Sequence, residues 1–120
     1  MADNEFRFWE VEPSDFEKID IQNPPFPPSG VYAFRDKHGK ALYVGETKNI
    51  VRRYRQHRSG KKWWKDVTTC HFYPCPDPED RLKLETVMIL RMRPRHNRAI
   101  RLGLRKDGSV VQLAWLRSMK

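Results

Sequence analysis

The sequence predicts an α/β domain with a small, mainly antiparallel sheet of about three central strands flanked by helices. Three observations favour this fold class. Two short runs rich in Val, Tyr and Phe are separated by a polar link, a third run of β-branched and aromatic residues follows later, and two longer segments show helical spacing. At 120 residues the chain is long enough for one domain.

Residues 1–29 are expected to form an acidic, proline-rich N-terminal arm. They hold seven acidic and two basic residues, a net charge of −5 in a chain of +9 overall. Apolar and polar residues alternate loosely over 5–12, which indicates an edge strand, and Ser14 with Glu17 resembles a capping box for one helical turn. The prolines of 24–28 exclude a helix or central strand, so we expect an extended lead-in there, with a ligand for an aromatic groove as the alternative.

The core of the domain is expected to span residues 30–100. Residues 30–34 and 41–45 predict a β-hairpin, because each run is apolar and aromatic and Gly39 lies in the polar link between them. A third strand is predicted over 67–73, where β-branched and aromatic residues are followed by prolines. These three strands are expected to form the centre of the sheet.

The first helix is predicted over 49–58, directly after the hairpin. Thr47 and Asn49 are the N-cap candidates, and a serine and a glycine follow the helix. Arg53 and His57 fall on its inner face beside apolar residues. The first helix therefore brings a cation and an imidazole toward the sheet.

The second helix is predicted over 78–92. Asp77 fits the N-cap, a proline occupies the first helical position and Pro94 follows the end. One predicted stripe of this helix consists of Leu82, Glu85, Ile89 and Met92. A carboxylate at the centre of an apolar stripe is costly unless it is paired or bound to a metal, so Glu85 is a candidate ligand. The alternatives are a salt bridge to Arg81 or exposure to solvent.

Three further features bear on the extent of the domain and its compartment. Residues 101–120 are expected to form a C-terminal hairpin extension around an Asp-Gly turn. Cys70 and Cys75 are expected to be reduced thiols, because a zinc site needs a further Cys or His pair and the other alternative is a disulfide. No apolar run approaches about 18 residues and no basic start precedes an apolar run, so neither a membrane span nor a secretory signal is expected and a cytoplasmic location is predicted.

Positive charge is concentrated in two blocks of the chain. Residues 48–65 carry eight basic residues and residues 91–106 carry seven, with no acidic residue in either block. Such a field attracts polyanions, so nucleic acid is the expected partner, with a merely solvated face as the alternative. Trp63 stands among lysines, and its indole is expected either to cover the core or to stack on a base. The expected nucleic-acid contacts are Lys48, Arg52, Arg55, Arg58, Lys61, Lys62, Trp63, Lys65, Arg95 and Arg98.

Two triplets at the start of the core carry a resemblance to a known family. Gly30-Val31-Tyr32 and Tyr43-Val44-Gly45 resemble the two signature triplets of the GIY-YIG nuclease superfamily. Further positions match that family in type and order: Arg53, His57, Glu85, Pro94 and Asn97. Within the family the chain is similar to the catalytic domain of excision-repair nucleases, which often have Lys where Glu46 follows the second triplet here. The resemblance implies a GIY-YIG-like fold and endonuclease activity.

The resemblance also implies a metal site and two tyrosine roles. Glu85 would hold a single Mg²⁺ or Mn²⁺, since one carboxylate with several waters suits Mg²⁺ better than zinc or calcium. Tyr32 would act as the general base or position the attacking water, and Tyr43 would help to orient the water and the phosphate. Because the ordinary pKa of tyrosine is about 10, a role as base requires positive charge nearby.

Three other residues would support the reaction if the resemblance holds. Arg53 would clamp a phosphate as a fork donor, a geometry that lysine does not reproduce. His57, one turn later, would reach Tyr32 or the phosphate, with a satisfied core histidine as the alternative. Asn97 is expected to act as structural support near the end of the second helix.

Together these features predict a metal-dependent endonuclease that hydrolyses DNA phosphodiester bonds, with one nick per active site. No appended DNA-reading module is visible, so we expect selection of DNA structure rather than sequence. The main alternative is a nucleic-acid-binding module of the same fold that does not cut or works only in a larger complex, and a basic RNA-binding protein is a further one. DNA rather than RNA is the expected partner, no membrane is involved, and a monomer or weak homodimer is expected.

Overall fold

The computed structural model describes residues 6–97 and shows a four-stranded sheet between two layers of helix and turn. The strands are β1 (Glu17–Ile19), β2 (Gly30–Arg35), β3 (Ala41–Thr47) and β4 (Thr69–Pro74), and the helices are α1 (Ile50–Gly60) and α2 (Pro78–Met92). Short 3-10 turns occur at Phe8–Glu10, Pro13–Asp15 and Lys62–Asp66. The strand order is β1-β4-β2-β3, and every neighbouring pair is antiparallel. This architecture confirms the predicted fold class.

The hairpin of β2 and β3 forms as predicted, and its register brings Tyr32 opposite Gly45. Its turn is built around Asp36, whose carboxylate accepts two backbone N–H hydrogen bonds at 2.8 and 3.0 Å. Gly39 closes the turn with a φ of 79°, a conformation that glycine adopts without steric cost. Because β3 is at the edge of the sheet and β2 is central, the two signature triplets lie on strands of different exposure.

Side chains of the central strands alternate between two layers, as the two-residue period of a strand requires. The layer on the α2 side has the rings of Phe16 and Tyr73 beside an aliphatic centre: Val31, Ala33, Val44, Leu84, Val87 and Met88. The layer on the α1 side is aromatic: Tyr32, Phe34 and Phe72, with Tyr54, Trp63 and Trp64 packed against them. The α1 side therefore combines the fully buried Tyr32 hydroxyl with two partly buried indoles.

The N-terminal arm differs from its predicted arrangement. The predicted edge strand over 5–12 is wrong, because the described part of that segment contains the 3-10 turn Phe8–Glu10. The edge strand is β1 instead, in which Glu17 lies opposite Phe72 of β4. The physical reason is that the apolar residues of this segment, including Val11, pack together against α2 and do not alternate across a sheet.

The helical turn of the arm exists, but other residues cap it. The predicted capping box of Ser14 with Glu17 is wrong: the turn spans Pro13–Asp15, and the Asp15 carboxylate accepts the N–H of Glu12 at 2.8 Å. The proline at the start of this turn lacks an N–H where none is needed, which sets the beginning of the turn two residues earlier than predicted. Glu17 is consequently released to enter β1.

Both helices begin where the sequence predicts. Asn49 caps α1 by accepting the N–H of Arg52 at 3.2 Å, and Asp77 caps α2 by accepting the N–H groups of Glu79 and Asp80 at 2.9 and 3.0 Å. The first helix continues two residues beyond its predicted end, and the second has the predicted bounds.

The buried face of α2 differs from the predicted stripe. The prediction that Glu85 occupies the centre of this face is wrong, because α2 turns Leu84, Val87 and Met88 into the core and leaves Glu85 half-buried at the edge. Those three residues form a continuous aliphatic patch at helical spacing. Burying this patch is more favourable than burying a stripe that contains a carboxylate.

Three further expectations concern residues that the structure describes, and a fourth does not. Cys70 and Cys75 are free and buried, in agreement with reduced thiols. The proline-rich segment 24–28 contains neither helix nor strand. Within residues 6–97, neither helix has the length and apolar composition that crossing a bilayer requires. The predicted hairpin over 101–120 lies outside the described residues.

Candidate active site

The polar centre of the α1 layer is a hydrogen bond between Tyr32 and His57. Tyr32 on β2 is fully buried, and its hydroxyl oxygen lies 2.8 Å from Nε2 of His57 on α1, which is only 5% exposed. The positive charge of Arg53, one turn earlier on α1, also acts on the Tyr32 hydroxyl and lowers its pKa in part. The structure therefore brings together three of the site residues that the sequence predicts.

Gly45 is required by the position of the Tyr32 ring. The two residues pair across the hairpin, and a Cβ atom at Gly45 would overlap the Tyr32 hydroxyl and lie 2.6 Å from its Cζ atom. Such a separation is well inside van der Waals contact, so any side chain here would displace the ring. The glycine of the second triplet thus allows the tyrosine of the first triplet to reach His57.

Both partners of the buried hydrogen bond are neutral at pH 7. Burial raises the pKa of Tyr32 well above its usual 10, the nearby Tyr43 raises it further, and Arg53 lowers it in part. Burial, followed by the positive charges of Arg53 and Lys61, lowers the pKa of His57 from 6.5 to about 4. Nδ1 of His57 is buried and has no hydrogen-bond partner among the described residues. The pair is therefore a buried hydrogen bond between two neutral groups and not an ion pair.

A series of near-parallel aromatic rings leads from Tyr32 to the surface. The ring centroids of Tyr32 and Tyr43 are 6.1 Å apart at an interplanar angle of 25°. Those of Tyr43 and Trp63 are 5.5 Å apart at 17°, and those of Trp63 and His96 are 5.2 Å apart at 7°. Tyr43, Trp63 and His96 line an open cleft, whereas the Tyr32 side chain lies behind them. Of the two signature tyrosines, Tyr43 is the one that faces solvent.

This cleft has a volume of about 720 Å³ and contains both signs of charge. It joins β3, the turn after α1, α2 and the segment that follows α2. Lys61, Lys62 and Arg95 contribute positive charge to its lining, and Glu85 contributes a carboxylate. The cleft is where the two layers of the domain meet around the edge strand.

Glu85 is the candidate metal ligand of the cleft. Its negative charge contributes to the raised pKa of Tyr32, so the carboxylate of α2 and the aromatic layer of α1 act on one another. Among residues 6–97, no three His, Cys, Asp or Glu side chains cluster as they would in a site made wholly of protein ligands. A single carboxylate in an open, polar cleft fits Mg²⁺ or Mn²⁺, because Mg²⁺ retains several of its waters when it binds.

A buried ion pair fixes α2 to β3 one turn before Glu85. Nε of Arg81 lies 2.7 Å from Oε1 of Glu46, and the Arg81 side chain is only 4% exposed. The guanidinium also donates to the carbonyl oxygens of Cys75 and Pro76 at 3.3 and 3.0 Å. Sequence reasoning did not assign this pair to the site. The signals for it are the acidic residue directly after the second triplet and the four-residue spacing of Arg81 and Glu85.

Asn97 joins the segment after α2 to the free edge of β3. Its Nδ2 donates to the Val44 carbonyl oxygen at 2.8 Å, and its Oδ1 accepts the Val44 N–H at 2.9 Å. The N–H of His96 donates to the carbonyl oxygen of Leu42 at 2.8 Å. This segment therefore runs beside β3 and forms one wall of the cleft.

The predicted nucleic-acid contacts fall into two groups. The first group lines the cleft: Lys61, Lys62, Trp63 and Arg95. The second lies at the start and along the outer side of α1, where it lines pockets of about 300 and 440 Å³: Lys48, Arg52 and Arg55. Arg53 lines the smaller of these pockets, so it connects Tyr32 to this second group. Arg58 and Lys65 are exposed, and Arg98 lies outside the described residues.

Comparison with known proteins identifies relatives of this domain. The family model of the GIY-YIG catalytic domain matches residues 28–101. UvrABC system protein C of Flavobacterium psychrophilum is 35% identical over 91 residues, which are 70% of this chain and 15% of that protein. UvrABC system protein C of Mycoplasma genitalium is 32% identical over 74 residues, 57% of this chain and 12% of that protein. The chain thus spans about 15% of the length of the curated relatives it matches.

A solved structure shares the fold. The GIY-YIG N-terminal endonuclease domain of UvrC from Thermotoga maritima, bound to magnesium as its catalytic divalent cation, aligns with a TM-score of 0.55 and 23% identity. The alignment covers 64% of this chain and 90% of that domain. A point mutant of the same domain aligns with a TM-score of 0.54. The two triplets, the matched span and the shared architecture agree: the chain belongs to the GIY-YIG catalytic domain family, the nuclease family that its triplets resemble.

Proposed function

We propose that this chain is a metal-dependent endonuclease that hydrolyses DNA phosphodiester bonds, with one nick per active site. The observation that carries this proposal is the cleft lined by both Tyr43 and Glu85, with Lys61, Lys62 and Arg95 around them. Hydrolysis needs a group that orients water, positive charge beside the phosphate and stabilisation of the leaving oxygen. The side chains of the cleft are of the right types for all three tasks.

We propose that Tyr43 orients the water that attacks the phosphate. Its ring faces the cleft, and its hydroxyl can accept a hydrogen bond from a water while the proton that is released passes to solvent in the open cleft. Tyr32 is fully buried and its pKa is raised, so it is poorly suited to contact that water or to lose its own proton. We propose that Tyr32 instead positions Arg53 and His57 and supports the ring of Tyr43.

Positive side chains hold the DNA backbone around the bond that is cut. Arg53 lines the pocket at the start of α1, and its fork of donors suits the two oxygens of a phosphate. Lys61 and Lys62 line the cleft beside Trp63 and Tyr43, where they can stabilise the charge of the leaving oxygen.

We propose that Glu85 holds the metal ion that cleavage requires. Its carboxylate would hold one Mg²⁺ or Mn²⁺, and the bound ion would supply positive charge to the phosphate as negative charge develops on it. The Arg81–Glu46 pair keeps this part of α2 against β3, which sets the position of Glu85 relative to Tyr43. Asn97 contributes by fixing the wall of the cleft through Val44.

The substrate and setting are proposed from the relatives. Similarity to UvrABC system protein C favours DNA as the substrate and DNA repair as the setting. Selection of DNA structure over sequence, a cytoplasmic location and action as a monomer or weak homodimer remain predictions from the sequence.

Cleavage of a labelled DNA panel tests the proposal. Plain duplex, single strand, flap and four-way branch are incubated with Mg²⁺ or Mn²⁺ and the wild type or Glu85→Ala. Glu79→Gln is a matched control, since Glu79 lies on the same helix but outside the cleft. We expect cleavage by the wild type and the control, and loss of at least about 100-fold in rate for Glu85→Ala with DNA binding retained.

Two results would contradict the proposal. Full activity of Glu85→Ala would show that Glu85 does not hold a metal ion that cleavage requires. Binding without cleavage by both proteins, on every substrate and with either ion, would favour a nucleic-acid-binding module of the same fold that does not cut by itself.

A further inference from the structure

A second basic groove lies at the C-terminal end of α2. It has a volume of about 470 Å³ and is bounded on one side by the β2–β3 turn and on the other by the residues that end α2. Its basic lining residues are Arg35, Lys40, Arg91, Arg93 and Arg95. Arg95 also lines the cleft that contains Tyr43 and Glu85, so the two depressions adjoin at this residue.

Two of these cations have structural partners. Arg91 donates to the carbonyl oxygens of Val11 and Trp9, which ties the N-terminal arm to α2. Arg35 donates to the carbonyl oxygen of Gly39 at 2.7 Å and thereby braces the turn. Arg91 and Arg35 therefore have structural roles in forming the groove. Its other three basic residues need a separate explanation.

The other three cations are exposed in the groove. Among residues 6–97, the side chains of Lys40, Arg93 and Arg95 make no hydrogen bond or ion pair. Two carboxylates lie beside the groove: Oδ1 of Asp36 accepts two backbone N–H groups of the turn and Asp36 attracts Arg95, while Glu12 lies 3.7 Å from Arg91. Because five basic side chains line the groove, its surface remains net positive, of the kind that binds polyanions.

Arg93 occupies a backbone position that favours a different residue. It ends α2 in the left-handed region with a φ of 49°, where glycine or asparagine is common and other residues are disfavoured. Its cation interacts favourably with the C-terminal dipole of the helix, but Arg91 already supplies a cation in the last turn. An arginine at this position is better explained if its guanidinium also contacts a ligand.

We propose that this groove binds backbone phosphates of the DNA on one side of the bond that is cut. The proposal rests on the function proposed above for the adjoining cleft. Glu85 and Arg93 are eight residues apart on α2 and its end, a distance of about 12 Å at 1.5 Å per residue. That distance corresponds to about three or four nucleotides at 3.4 Å per phosphate along one strand. The groove thus extends the contact with one strand beyond the catalytic cleft.

The test is DNA binding by Arg93→Gly, measured by fluorescence anisotropy on a labelled duplex in EDTA over a range of salt concentrations. Glycine suits the left-handed position, so the variant is expected to unfold at the same temperature as the wild type or higher. We expect about fivefold weaker binding and a salt slope reduced by about 0.9, the loss of one phosphate contact. Lys40→Gln, on the opposite side of the groove, should give the same change without altering the helix end.

Lys37→Gln is the matched control, because Lys37 is exposed in the same turn but does not line the groove. It should retain wild-type affinity and slope. If Arg93→Gly and Lys40→Gln both bind DNA with wild-type affinity and slope, Arg93 only ends the helix and the proposal is wrong.

Cleavage kinetics separate this proposal from the function on which it rests. A remote phosphate contact contributes equally to the ground state and the transition state, so Arg93→Gly should raise KM and leave kcat unchanged. Absence of cleavage by the wild type would contradict the proposed nuclease function, whereas the anisotropy comparison would still decide whether the groove binds DNA. A wild-type KM for Arg93→Gly in an active enzyme would contradict the groove alone.

Discussion

The two faces of the sheet are built from different kinds of residue. The α2 face is packed mainly by aliphatic side chains such as Val31, Val44 and Leu84, with the rings of Phe16 and Tyr73 beside them. The α1 face is packed by aromatic rings and contains the buried hydrogen bond of Tyr32 and His57. The same three strands contribute to both, because alternate residues point to opposite sides.

The difference indicates a division of tasks. The α2 face holds α2, which carries Glu85 to the cleft. The α1 face contains the Tyr32–His57 hydrogen bond, and Nδ1 of His57 is buried without a partner among the described residues, an arrangement that costs free energy and that we attribute to the proposed site. Substitutions on the α2 face should therefore alter stability, and those on the α1 face should alter activity.

The largest effect on stability is expected for Leu84→Ala. Leu84 is fully buried in the aliphatic layer, and its loss should lower the free energy of unfolding by about 3 kcal/mol through lost burial and a cavity. Urea denaturation measures this change. Leu82→Ala, half-buried on the same helix, should cost about 1 kcal/mol, and equal losses for the two variants would contradict the assigned face of α2.

Breaking the ion pair that joins α2 to β3 should have the next effect. Glu46→Ala leaves the buried guanidinium of Arg81 without its carboxylate, and we expect a loss of about 2 kcal/mol, moderated by the carbonyl groups that Arg81 retains. Cleavage should fall several-fold, because α2 and Glu85 are less firmly held. Glu10→Ala breaks an exposed pair with Arg7 and should cost less than about 0.5 kcal/mol in the same denaturation assay. Similar costs for the two would show that the Arg81 pair adds nothing.

Tyr32→Phe should lower activity much more than stability. The loss of one buried hydrogen bond to His57 should lower the free energy of unfolding by only about 1 kcal/mol. The rate of DNA cleavage should fall by about 10- to 100-fold, because Arg53 and His57 lose the group that orients them. Tyr73→Phe, on the α2 face, is the control and should cleave normally. Equal activity of the two variants would contradict the division of tasks.

A separate effect, seen only as the pH falls, is the pH dependence of stability that His57 confers. Its folded pKa of about 4 lies below the unfolded value of 6.5, so the unfolded state binds a proton first as the pH falls. The contribution of neutral His57 is fully present above pH 6.5 and should be lost between pH 6.5 and about 4. Denaturation curves of the wild type and His57→Gln should converge over this range, whereas exposed His38→Gln should follow the wild type. Parallel curves for His57→Gln would contradict the burial of a neutral imidazole.

The sequence predicts those parts of the fold that local signals determine. The hairpin follows from two alternating runs and a Gly-bearing turn, and α2 follows from Asp77, its proline and the breaker after its end. β1 was missed because it has only three residues and pairs with β4, about 50 positions away. The orientation of α2 was missed because it depends on which residues the sheet can bury.

The candidate site shows the same limit. Family resemblance supplies Tyr32, Tyr43, Arg53, His57 and Glu85, and the structure brings the first four into one aromatic layer. The family resemblance does not reveal that Tyr32 is buried whereas Tyr43 faces the cleft, because this difference depends on β3 being the edge strand. The Glu46–Arg81 pair is likewise invisible to local patterns, since its members are 35 residues apart.

Tyr43 and Glu85 line one cleft, and we propose that they act together on one phosphate. The most direct measurement is the single-turnover rate of DNA cleavage for the wild type, Tyr43→Phe, Glu85→Gln and the double variant on one substrate. If the two residues act on the same reacting group, the double variant should be about as slow as the slower single variant. A shared site would be contradicted if the rate of the double variant fell by the product of the two single losses. Cleavage at the wild-type rate by either single variant would contradict it as well.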